Sequence, residues 1–185
     1  MKKYILGIGL CLLMIGVAKA QEYKVNKSAG TLDIREVNHV TIEGHNGNEI
    51  IFSPHNDHRN MDERAKGLRA ISSLGLEDNT GIGLSVLEKG NVIEVRQLKK
   101  MNGPNIKILV PKGFVVSYHH TSPHCERIEI KNFEGQVEIS TVHNGVVLSN
   151  ATGPLNIKTV HGDIDASLGA ALKAPITIES IHGHV

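Results

Sequence analysis

Three histidines recur toward the end of this chain inside the same short phrase. Ile139-Ser-Thr-Val-His143-Asn-Gly145, Ile157-Lys-Thr-Val-His161-Gly162 and Ile178-Glu-Ser-Ile-His182-Gly183 place their imidazoles 18 and 21 residues apart. Neutral imidazole nitrogen suits Zn²⁺ and Cu²⁺, so His143, His161 and His182 become candidate metal ligands if the copies stack. Two considerations oppose that chemistry. A metal needs its nitrogens within about 2.1 Å, whereas stacked strands hold their backbones about 4.8 Å apart, so the rings would have to converge. Histidine is also enriched, like Asn and Asp, where a non-glycine residue takes φ > 0. Each copy has its His just before Gly or Asn-Gly, and turn chemistry alone accounts for the placement.

Eight further histidines bring the total to 11. Tyr118-His-His-Thr-Ser-Pro-His-Cys125 gathers three His and a Cys, a soft-metal constellation by type. An HH pair in a strand points to opposite faces, so at most one of His119 and His120 can join His124, and a surface loop is the expected reading. His55, Asp57 and His58 also fall in an apparent loop. Asp163 and Asp165 alternate and share a strand face about 6–7 Å apart, as a Ca²⁺ ladder or an acid pair for glycoside cleavage would require. A solvated outer face predicts the same pattern. No G-x-S-x-G, H-E-x-x-H or Walker loop occurs. The chain is expected to be non-enzymatic and to need no cofactor.

The elements that would position these residues are short strands. Thr31–Val37, His39–Glu43, Glu49–Phe52, Ile82–Leu87, Val92–Arg96, Ile106–Val110 and Phe114–Tyr118 alternate apolar and polar residues between turn clusters. Past Cys125 the chain is almost all repeat: Arg127–Lys131, Val137–Val142, Val146–Ser149, Leu155–Val160, Ile164–Ala166 and Ile176–Ile181, with corners at Gly135, Gly145, Gly153, Gly162 and Gly183. Turns every 8 to 10 residues indicate an all-β fold. The self-similarity selects a β-solenoid, or β-helix-like stack, over a sandwich, with one coil laid on the next. Residues 61–73 have helical spacing, balanced between one short helix and an irregular excursion. The last coil has no polar cap after Gly183-His184. Open strand edges then imply a homo-oligomer through the C-terminal coil, a cap folded back from elsewhere, or a chain shorter than its relatives.

Residues 1–20 read as a secretory signal peptide. Lys2 and Lys3 precede an apolar run from Ile5 to Val17, and Ala18-Lys-Ala20 offers a small-x-small cleavage site. That run is well short of the ~20 residues that span a bilayer, so no integral membrane segment is expected after cleavage. Leu10 before Cys11 disfavours a lipid anchor. Cleavage removes Lys2, Lys3 and Lys19, which takes 20 basic residues to 17 against 19 acids. No basic run survives to hold nucleic acid or an anionic membrane surface. Cys125 is then left alone, without an intramolecular disulfide. With no Trp, three Tyr and three Phe, a sugar-stacking aromatic platform is missing, and the core of the single domain 21–185 must be Val, Ile and Leu.

Lys66-Gly-Leu-Arg69, Asp78-Asn-Thr-Gly-Ile-Gly-Leu84, Ile106-Lys-Ile-Leu-Val-Pro-Lys112 and Val160-His-Gly-Asp-Ile164 resemble an exported adhesin-like family of unknown function (DUF4097-like), over roughly residues 30–185. The resemblance implies export, a β-solenoid-like fold and no catalytic residues. Members usually carry Asn where this chain has His143, His161 and His182, so it assigns the imidazoles no role. The function expected is a binding or structural module of the bacterial cell envelope, periplasmic or on the cell surface, contacting protein or glycan. The alternative is a His-rich Zn²⁺- or Cu²⁺-binding envelope protein.

Overall fold

A computed structural model describes residues 21–55, 69–123, 127–169 and 174–185. Among them there is no helix, and none long and apolar enough to cross a membrane. Fourteen strands form: β1 (Tyr23–Val25), β2 (Ala29–Arg35), β3 (His39–His45), β4 (Ile50–Pro54), β5 (Leu84–Lys89), β6 (Val92–Gln97), β7 (Asn105–Pro111), β8 (Gly113–His120), β9 (Arg127–Lys131), β10 (Val137–Thr141), β11 (Gly145–Ala151), β12 (Leu155–Thr159), β13 (Ile164–Leu168) and β14 (Ile176–Ser180). Residues 61–68 of the expected helix, and the signal segment 1–20, lie outside the described residues. Ile71, at the helix's far end, instead bridges antiparallel to Glu77.

The strands build two mixed sheets of seven, ordered β1-β4-β7-β3-β9-β11-β13 and β14-β12-β10-β8-β2-β6-β5. Within each, the middle is parallel and in register. Successive strands β2–β3, β6–β7, β8–β9, β10–β11 and β12–β13 pass from one sheet to the other, so their pairs lie at successive levels. Chain order and stacking order differ in one respect. The β2–β3 pair sits between β6–β7 and β8–β9, rather than at the end of the stack as one coil laid on the next would put it.

In-register pairing converts the period-two pattern of each strand into columns. Leu32, Val116, Val137 and Leu155 form one, and Ile34, Tyr118, Ile139 and Ile157 a second. In the other sheet Val40, Ile128, Val146 and Ile164 align, as do Ile42, Ile130 and Leu148. All are buried. Branched side chains fill most places in these columns, but the core is not Val, Ile and Leu alone as expected: Tyr118, Phe52, Phe114 and Phe133 are its largest fully buried side chains.

The two ends differ. At one, β5 pairs antiparallel with β6, β4 with β7, and β1 with β4. At the other, β13 and β14 are edge strands, and Ala166, Leu168, Ile176 and Ile178 are only partly buried. Truncation should report this gradient. Ile130→Ala should cost about 2–5 kcal/mol in urea denaturation, and Ile178→Ala clearly less; equal costs would contradict the open end.

Candidate functional site

The repeated phrase forms a corner where the chain leaves β10, β12 or β14. Its hydroxyl residues are the key to its geometry. Gly162 N donates to Thr159 Oγ1 at 3.0 Å, and Gly183 N donates to Ser180 Oγ at 2.9 Å. Each hydroxyl then reaches back one level: Thr159 Oγ1 donates to Asn144 O at 3.4 Å and Ser180 Oγ to Gly162 O at 3.0 Å. Backbone bonds run in parallel, from His161 N to Val142 O and from His182 N to Val160 O, both at 2.8 Å.

This arrangement revises the reason for the glycines and the histidines. Among the described residues, the non-glycine positions with φ > 0 are Glu36, Asn102, Asn132 and Asn150, and neither Gly162 nor Gly183 is left-handed. Turn geometry therefore does not call for His at 143, 161 or 182. The glycines are needed for close approach instead. A Cβ on Gly162 would collide with the carbonyl oxygen of Asn144, and one on Gly183 with that of Gly162.

The three histidines stand on the exposed side of these corners and form a ladder. His143 and His161 have ring centroids 5.3 Å apart and planes within 14°; His161 and His182 are 5.0 Å apart and within 13°. The rings lie as parallel plates. Coordination lone pairs lie in the ring plane, so in this arrangement the nitrogens point side by side instead of converging. Among the described residues no three His, Cys, Asp or Glu are grouped to hold a metal ion.

Beside the ladder runs a groove of about 630 Å³, whose lining includes Arg127, His143, His161, Asp163, Asp165 and His184. Asp163 and Asp165 are both exposed, as their spacing predicts, and Asp163 Oδ1 accepts from His184 N at 2.8 Å. His119 and His120 do face opposite ways, His119 exposed and His120 fully buried. His124, Cys125, Asp57 and His58 lie outside the described residues, and His55 is exposed.

Sequence reasoning missed two polar groups. One is a buried network behind the ladder. Asn144, which replaces the glycine in the first copy, donates to Tyr118 Oη at 3.0 Å, and Tyr118 Oη donates to Val37 O at 2.8 Å. His120 Nε2 lies 3.0 Å from Asn38 Oδ1, while Asn38 binds Gln97 Oε1 and Lys100 O. The network links four levels and adds side-chain bonds on both sides of β2–β3 to the strand pairing that holds it in mid-stack. The second group lies at the opposite corner. Asn132 and Asn150 are left-handed, φ 50° and 56°, and Asn150 Nδ2 donates to Asn132 Oδ1 at 3.0 Å. Their 18-residue spacing equals that of His143 and His161, a signal that was present.

Burial pushes His120 below its ordinary range, against the opposing attraction of Glu36. Burial alone would raise Glu36, but hydrogen bonds from Thr121 and the charge of His120 outweigh it and hold that carboxyl low. No family model, no curated protein and no solved structure matches this chain.

Two predictions follow from the corner. Gly162→Ala should destabilise by about 1–3 kcal/mol through overpacking, whereas exposed His161→Ala should change stability by under about 1 kcal/mol; urea midpoints separate them. The other concerns pH. His120 gains its proton near pH 6.5 when unfolded and only at lower pH when folded. Its contribution is therefore complete above about pH 6.5 and is lost as pH falls toward the folded value. The urea midpoint should drop between pH 7.5 and 5.5, and His120→Gln should flatten that drop even though it lowers the midpoint at pH 7.5.

Proposed function

We propose that this chain is an exported, non-enzymatic binding or structural module of the bacterial cell envelope, periplasmic or on the cell surface. In this reading its two sheets are the faces of one β-solenoid-like coil, and it belongs with the adhesin-like family it resembles. The partner is an extended envelope glycan or protein segment lying along the stack.

The histidine ladder is the observation that carries this reading. The corner's hydrogen bonds come from main chain and hydroxyls rather than imidazoles, yet three exposed imidazoles stand in line and two of them, His143 and His161, line a groove. A row of identical groups at 5.0–5.3 Å intervals suits a ligand that is itself linear. Among the described residues the sheet faces carry no second ladder of stacked imidazoles. Their charges pair within the face, as in Lys107–Glu43 at 2.7 Å, Lys131–Glu129 at 2.6 Å and Arg96–Glu94 at 2.9 Å, and such exposed pairs contribute little. The parallel ring planes favour edge-on hydrogen bonding by the imidazoles over chelation of one ion.

Co-sedimentation with isolated cell envelopes tests the proposal. The native protein should pellet with envelopes, and a His143/His161/His182→Ala variant with an unchanged circular dichroism spectrum should be released at least several-fold more readily. A chelator should make no difference. Equal retention of the two proteins would sink the ladder as the contact surface, and dependence on added Zn²⁺ or Cu²⁺ would move it to the metal-binding alternative.

A further inference from the structure

The strand β14 closes one sheet with its outer edge uncovered among the described residues. Its inner edge is defined by the bonds to β12: Leu155 N donates to Pro175 O at 3.1 Å, and Ile181 N donates to Thr159 O at 3.2 Å. Alternation along a parallel ladder then turns the N–H and C=O of Thr177 and Glu179 toward β12. Those of Ile176, Ile178 and Ser180 face outward from the stack. The side chains of Ile176 and Ile178 are half-buried, and Ile181, just beyond, is 60% exposed. An edge of this kind is a template for another strand.

We infer that this edge pairs with the β14 of a second copy, antiparallel across a two-fold axis at Ile178. Three observations favour a copy of this chain as the occupant. First, the pairing is self-complementary in hydrogen bonding. With Ile178 opposite its own mate and Ile176 opposite Ser180, every outward N–H meets an outward C=O. Second, it is self-complementary in side chains. The inner face receives Ile178 against Ile178, so the apolar column continues into the second copy, and exposed Ile181 comes to lie beside the second copy's Pro175. On the outer face Thr177 stands opposite Glu179, so the two Glu179 carboxylates are not set against each other, and each keeps its own Lys158 at 3.3 Å. Third, these sheets already accept antiparallel additions. At the far end β5 and β4 join the parallel stack in that sense. A two-fold pairing is isologous and closes on itself, so it yields a dimer and not a filament.

The register makes the test specific. Thr177 is exposed, so changing its charge leaves the fold intact. Thr177→Glu would set two like-charged pairs against Glu179 across the axis, and Thr177→Lys would set two opposite-charged pairs. Cross-strand pairs of this kind are worth about 0.2–1 kcal/mol each, so two should shift the dimer dissociation constant by about 2-fold to 30-fold. Sedimentation equilibrium of the full chain, purified after any processing, should show a monomer–dimer equilibrium that Thr177→Glu weakens and Thr177→Lys strengthens at low salt. A monomer at every concentration would overturn the proposal. Shifts of the same sign for the two variants would overturn the register, and masses growing beyond the dimer would overturn the two-fold closure.

Discussion

The structure depends on how closely one corner approaches the next. At the exit from β12 and β14 a hydroxyl holds its own corner glycine and donates to the carbonyl one level back. The bonds are individually modest, each worth about 0.5–1.5 kcal/mol net. Their effect is geometric. They tie the corner of β12 to that of β10 and the corner of β14 to that of β12, in step with the parallel pairing that aligns the apolar columns. At 162 and 183 a Cβ would run into the carbonyl of the corner one level back, so a larger residue at either place must shift that corner.

The same constraint makes an exposed ladder out of residues that have no part in the corner. Once Thr159, Gly162, Ser180 and Gly183 are held, His161 and His182 project to solvent in line with each other and with His143, which precedes Asn144 in the first copy. The side chain at that position is exposed and makes none of the corner's hydrogen bonds, which come from the main chain and the hydroxyls, and in three successive copies it is histidine. A surface position that is sterically free yet chemically uniform is where a binding role is best sought, and the groove with Arg127, Asp163 and His184 beside it adds polar groups of both signs. The Asn132–Asn150 contact at the opposite corner shows the other use of a ladder: there the left-handed backbone itself favours Asn.

Much of the fold was legible because period-two alternation and turn residues are local signals. The strands read from Thr31, His39, Val92, Ile106, Arg127, Val137, Leu155 and Ile176 all occur, with small boundary differences. The level of β2–β3 was not legible. It is decided by contacts between residues more than eighty positions apart, such as Tyr118 with Val37 and His120 with Asn38, which leave no periodic trace. Short β1, held by antiparallel pairing to β4, was missed because three residues give no pattern. At the site, the positions of His143, His161 and His182 were readable, but the cause assigned to them was not. Sequence cannot distinguish a glycine needed for φ > 0 from one needed for close approach, since both read as a turn.

Amide hydrogen exchange at the two corner glycines bears most directly on this account. If hydroxyl clasps set the level spacing, the N–H groups of Gly162 and Gly183 should be protected, with Gly162 approaching the protection of Ile157 in the middle of β12. Exchange of Gly162 at the rate of an exposed turn such as Gly90 would contradict it. The corners would then follow the strands passively, and the alignment of the histidines would need another cause.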